Sequence, residues 1–168
     1  YIMDDAELAE YRRAKTPREK IAFFKRFWEK RNPRPGSPDN LRIREHYRRL
    51  VFAEREYRYD GFRLPVNDPD VAGYLRFPKT FFLNHKFNDK GLIYLRYGEP
   101  DRRATALGSE LAHNESWLYT FPGLARPLMF HFEIDEDGGP NNWRLVPVPT
   151  DDRMLASRED WDPLITRY

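Results

Sequence analysis

Three carboxylates crowd one short stretch of this 168-residue chain: Asp89, Glu99 and Asp101 bracket the apolar run 92–97. Carboxylates held together can bind a cation or divide the work of acid and base. They can also be purely structural, since an Asp directly after Pro100 is well placed to accept backbone N–H groups of a turn. Farther on, His131 and Glu133 alternate with apolar residues, which puts both on the outward face of a predicted strand as an exposed pair. Ile43, Tyr47, Leu50, Val51 and Tyr57 fall on one side of a helical wheel, expected to face inward, and Glu54 falls among them. A carboxylate on an apolar face needs a partner or a proton. Glu54 is therefore expected to be mostly buried, either as a structural tie between helices or as an acid with a raised pKa.

Beyond these groups the chemistry thins out. The four histidines, His46, His85, His113 and His131, show no His-x-x-x-His spacing and no zinc signature. There is no cysteine, which excludes disulfides and thiolate catalysis. Ser109 and Ser116 lie outside any Gly-x-Ser-x-Gly elbow, and no glycine-rich phosphate loop occurs. The residues thus assign no catalytic set, no metal and no cofactor. The competing reading is a hydrolase or cation-binding protein built around Asp89, Asp101 and His131.

The elements that must position these groups follow from period and punctuation. Asp4 or Asp5 caps a first helix reaching about Ala14. Thr16-Pro17-Arg18-Glu19 is a capping box with Pro at the first helical position. Ile21, Phe23, Phe24, Phe27 and Trp28 then form one apolar stripe, read as core, so that Trp28→Ala is expected to cost about 3–5 kcal/mol. Pro33, Pro35, Gly36 and Pro38 make a stiff connector, and Ser37 is the expected cap of a third helix running to about Tyr59. The run 92–97 reads as a buried central strand that stops at Gly98-Glu99-Pro100-Asp101, with Gly98 at positive φ. Residues 102–114 read as a polar loop. Strands follow at 116–121, 128–134 and 143–148, the last at an edge because Pro147 sits in it. The tail from Thr150 holds a helical turn near Ser157 and docks through Trp161, Leu164 and Tyr168.

Helices first and strands later define an α+β class: N-terminal helices packed on a four-stranded antiparallel meander. One domain is expected over 1–168, with a helical part at 4–59, an excursion at 60–88, a sheet at 91–148 and a tail at 149–168. Phe62, Tyr74, Phe77, Phe81 and Phe82 make the excursion too apolar for a free linker and too rich to fit wholly beneath the sheet. They are expected to anchor a protein partner. Net charge is only +2, but residues 1–59 hold 16 Lys and Arg against 10 Asp and Glu. The signs are interleaved, which describes solvated helix faces and not a nucleic-acid footprint. No run of 18 apolar residues is available to span a membrane. The start at Tyr1-Ile2-Met3 reads as a mature or excised piece of a longer protein.

Several stretches together resemble the GWxTD domain family. They are 27–40, with Trp28, Pro33, Pro35, Gly36 and Asn40; His46-Tyr47-Arg48-Arg49-Leu50; Asp89-Lys90-Gly91-Leu92-Ile93-Tyr94; and Tyr97-Gly98-Glu99-Pro100-Asp101. The late 117–119 and 130–132 strands fall in the family's order too. The name-giving Gly-Trp-x-Thr-Asp would fall on His85-Lys86-Phe87-Asn88-Asp89, where only the Asp matches. The resemblance implies a bacterial, exported, extracytoplasmic domain within a larger chain, with no established enzymatic activity. It favours a non-catalytic module whose partners are other protein subunits of an assembly.

Overall fold

The computed structural model describes residues 1–59, 85–135, 138–158 and 161. Phe62, Tyr74, Phe77, Phe81 and Phe82, and with them the expected partner-facing excursion, lie outside the described residues, as do Leu164 and Tyr168. Helix α1 spans Asp5–Arg13 and α2 Pro17–Glu29, and each opens on a complete capping box, Asp4 with Glu7 and Thr16 with Glu19. In each box the cap oxygen accepts from the third helical N–H, and the Glu carboxylate accepts from the cap's own N–H. Helix α3 spans Leu41–Glu56. Its cap is Asn40, not Ser37: the Asn40 Oδ1 accepts from Arg42 N at 3.0 Å and Ile43 N at 3.2 Å. The Asn40 amide also donates to the Trp28 carbonyl at 2.8 Å, so one side chain ties the start of α3 to the end of α2.

The run expected to be the central strand is a helix, α4, Asp89–Tyr97. Asn88 caps it by accepting from Gly91 N at 3.0 Å. Every residue from Asp89 to Leu95 is buried. A helix buried on all sides has no polar face, so its sequence shows no period of 3.6 and resembles a short buried strand. Gly91 makes this burial possible: a Cβ there would stand 2.7 Å from the Tyr57 Cβ and 3.0 Å from the Phe87 Cβ.

The four strands are β1 Arg102–Ala104, β2 Asn114–Tyr119, β3 Leu128–Ile134 and β4 Trp143–Val146. They form an antiparallel meander in the order β1-β2-β3-β4. The fold is thus α+β with a four-stranded meander. The first strand, however, comes from the stretch read as a polar loop, and its register sets Arg103 opposite Trp117. One sheet face carries Trp117, Tyr119, Phe130, Phe132 and Leu145, which join Leu92, Ile93, Tyr94 and Leu95 of α4 and Ala53 of α3 in the main core. The other face carries Leu118 and Met129 beneath Trp161. Helix α5, Asp152–Ala156, and the turn after it bring Met154, Arg158 and Trp161 onto that face, all buried. The helical turn thus lies just before Ser157. Trp161 docks as expected, and the sheet is covered on both sides.

Both sheet edges are restrained. β1 is only three residues long, and the outward N–H of Leu145 on β4 donates to the Asp89 carboxylate at 2.8 Å. Short or covered edges resist pairing with a further strand.

Candidate functional site

The sequence-marked carboxylates and histidine do not converge. Asp89 sits on α4 against the β4 edge. Asp101 accepts from Thr120 N at 2.6 Å, so it does bind a backbone N–H, but across to the end of β2 and not within its own turn. His131 lies on the opposite sheet face and is only 1% exposed. It was expected outside because Met129, His131 and Glu133 alternate with the Phe positions. The tail closes over that face instead, and the His131 Nδ1 lies 2.7 Å from the Ser116 Oγ. Glu99 is bound to Arg103 at 2.7 Å. Glu54 is not buried: its side chain is 46% exposed and pairs with Lys86 across the surface. It sits at the margin of the α3 apolar side, where a long side chain swings into water. Among the described residues no group of three or more His, Asp or Glu is placed to hold a metal ion.

A different charged group, unmarked in the sequence, does gather. Lys90 on α4 is buried and pairs with Glu115 on β2, with its ammonium 3.2 Å from the centre of the Trp143 ring. Arg103 reaches the same carboxylate at 3.1 Å, and the Trp117 Nε1 donates to it at 2.6 Å. Burial opposes ionisation of Glu115, but Lys90, Trp117 and Arg103 outweigh it and hold the carboxyl below its usual range. Burial draws the Lys90 ammonium below its ordinary value against the pull of Glu115. A cavity of about 480 Å3 opens beside this cluster, lined by His113, Asn114, Glu115, Trp143 and the 105–112 loop. The Glu115 carboxylate is already held by three donors and is not a free base.

The motif residues meet at a second junction. Gly98 has φ 88° and ψ −151°, a backbone region that is essentially glycine-only. A Cβ there would stand 2.7 Å from the Arg49 guanidinium. Arg49 and Arg42 both donate to the Arg96 carbonyl, at 3.0 and 3.4 Å, at the negative end of the α4 dipole. The Tyr119 hydroxyl donates to the Gly98 carbonyl at 2.8 Å. His46 lies beside Trp28 with the rings tilted and their centroids 5.1 Å apart. Burial, then the Arg42 charge, lower the His46 pKa to about 4, so it is neutral at physiological pH. Pro100 is buried behind the turn, whereas Pro33, Pro35 and Gly36 are exposed in the α2–α3 connector, with Gly36 at φ 79°. Gly98→Val is expected to cost about 2–3 kcal/mol, measured by urea unfolding, because it combines a forbidden φ with displacement of Arg49. A loss below about 1 kcal/mol would show that the turn relaxes around a side chain.

The α2 stripe divides instead of burying whole. Phe23 and Phe27 are buried toward α1, where Tyr11 meets Phe23 with ring centroids 5.7 Å apart. Arg31 lies over Phe27 at 3.9 Å while holding Glu7 at 2.7 Å. Phe24 straddles the divide, its ring 5.5 Å from Tyr11 on one side and open to water on the other, and Ile21 and Trp28 complete the uncovered half. Ile21 is 58% exposed, Phe24 is exposed, and Trp28 is only half-buried. With Pro38 and Ile43 they line an open groove of about 700 Å3 between α2 and the start of α3. Tyr47 and Val51 of α3, expected inside, are exposed as well. The sheet's faces are filled by α3, α4 and the tail. Among the described residues α2 therefore packs its stripe against α1, and α3 meets it only at its end, where Asn40 bonds the Trp28 carbonyl and His46 lies beside the Trp28 ring. The width of the stripe is visible in the sequence; which half lacks a partner is not.

Among the described residues no helix is long and apolar enough to cross a membrane. Comparison with family models finds no match, and neither the curated proteins nor the solved structures compared with this chain return one.

Proposed function

We propose that this chain is a non-catalytic protein-interaction module of a bacterial extracytoplasmic assembly, carried as part of a longer protein, and that it docks a partner subunit through the α2–α3 groove. The observation that carries this reading is the exposed apolar surface of Ile21, Phe24 and Trp28 around an open groove. Contiguous apolar exposure with a polar rim is how docking surfaces differ from ordinary protein surface. Aromatic side chains in such a surface commonly supply the binding anchors. The scatter of Asp89, Asp101 and His131 over two sheet faces supports it further, because acid–base chemistry needs its groups within hydrogen-bond reach of one substrate. The resemblance to the GWxTD family gives the cellular setting of the proposal, and the groove gives its surface.

A photo-crosslinking residue at Phe24, introduced in the full-length protein in its native cells, is expected to trap one discrete partner. The same residue at Leu107, exposed on the far loop, should trap none in common. Ile21→Asp should abolish the Phe24 adduct while leaving the chain folded. No adduct at Phe24, or an identical pattern at both positions, would remove the groove from consideration.

A further inference from the structure

We infer that the occupant of the α2–α3 groove is an acidic amphipathic helix of a partner protein; this rests on the reading of the groove as a docking surface. The secondary structure of the occupant follows from what the groove presents. Its walls are two helices and a capped connector, whose backbone groups are already bonded within the helices and at the caps. An extended peptide laid there would find no strand to pair with, and its own N–H and C=O groups would be stranded against apolar side chains. The sheet offers no alternative, since β1 is short and the β4 edge is held by Asp89. A helix brings its own hydrogen bonds and needs only an apolar stripe. Ile21, Phe24, Lys25 and Trp28 follow the i, i+3, i+4, i+7 spacing that receives such a stripe. A volume of about 700 Å3 takes several side chains at once.

The sign of the partner's flanks follows from the charge around the groove. Residues 17–56 carry twelve Lys and Arg against six Asp and Glu. Lys25 and Arg26 stand on the rim with Glu29 as the one acidic lining residue. Arg26 is paired with Glu10, Arg44 with Asp39, and Arg48 and Arg49 share the one carboxylate of Glu45, so the basic excess is only partly offset. Lys25 has no carboxylate within ion-pair distance among the described residues and is the lining cation left to meet a partner's acid. Like charge across a rim is penalised and opposite charge steers and orients the partner.

The test uses the whole chain and three synthetic 20-residue probes with the same leucine stripe at i, i+3, i+4 and i+7. One has glutamate flanks, one lysine flanks, and one glutamate flanks with a central proline. Titration calorimetry should show the glutamate probe binding at least tenfold tighter than the lysine probe at low salt. The gap should narrow as salt shortens the screening length, and Lys25→Glu should narrow it too. Phe24→Ala should weaken the glutamate probe at least tenfold with an unchanged circular dichroism spectrum. Equal binding of the two flanks overturns the acidic assignment but leaves the groove a docking surface. Equal binding of the proline probe overturns the helical assignment. No binding by any probe, or Phe24-dependent binding to phosphatidylglycerol vesicles alone, overturns the docking reading itself, the second in favour of a lipid surface.

Discussion

Arg158→Ala is expected to cost about 3–5 kcal/mol, because it empties the space of a large buried side chain and takes donors from several buried acceptors at once. The side chain is 0% exposed. Its Nε donates to the Ser116 Oγ at 2.6 Å, its Nη1 to the Met154 carbonyl at 2.7 Å and the Ser157 Oγ at 2.6 Å, and its Nη2 to the Asn114 Oδ1 at 2.7 Å. Truncation would take one donor from each of three acceptors: the Asn114 Oδ1 keeps Ala106 N and the Met154 carbonyl keeps the Ser157 hydroxyl, whereas the buried Ser116 Oγ loses the donor it accepts from, at about 1–3 kcal/mol before relaxation. Arginine can only donate, so the Ser116 hydroxyl must accept from it, which leaves the serine proton available to the His131 Nδ1. A lysine cannot span the same acceptors, so Arg158→Lys should recover little. Chemical denaturation measures the loss. The pair Arg158→Ala with Ser116→Ala should fall well short of additive, because both remove the same bond. A loss near zero would mean that the tail does not seal the sheet.

Trp117→Ala is expected to cost about 3–5 kcal/mol as well, while Trp28→Ala should cost about 1–2 kcal/mol. The smaller loss at Trp28 departs from the core position the sequence suggests for it, for a physical reason. Trp117 is fully buried between Tyr57 and Phe132, with ring centroids at 6.0 and 4.9 Å, and its indole N–H is bonded to Glu115. Removing it opens a large cavity and strips the Glu115 carboxylate of one donor. Trp28 is half-buried at the groove wall, so much of its surface is in water in both states. Thermal unfolding of the two variants side by side decides the order. Equal losses would place Trp28 in the core after all.

Local signals were the legible ones. The Thr16–Glu19 capping box, the positive φ of Gly98 and the alternation of 128–134 rest on interactions within a few residues or on a single residue's allowed angles, and all three appear in the structure. The misreadings share one cause: they turned on what covers a surface. α4 looked like a strand because its surroundings leave it no polar face. His131 looked exposed because the tail that covers it lies 27 residues on. Tyr47 and Val51 looked buried because nothing in the sequence says which part of the α3 apolar side is covered. The Lys90–Glu115 pair was illegible for the same reason, since its residues are 25 apart and join only once α4 packs on the sheet. Of the proposed groove, Trp28 and the stripe were visible, and the exposure of half the stripe was not.

The seal formed by Arg158 also bears on the sequence of events in folding. Its acceptors at Asn114 and Ser116 lie 44 and 42 residues away. They are aligned only after β2 has paired with its neighbours, so the long loop closure is repaid last. The strands here are joined by loops of eight or nine residues, which close far smaller circuits and can pair before it. A contact made after the rate-limiting step leaves the folding rate almost unchanged and lowers the unfolding rate instead. The tail therefore sets how long the folded chain survives more than how quickly it forms.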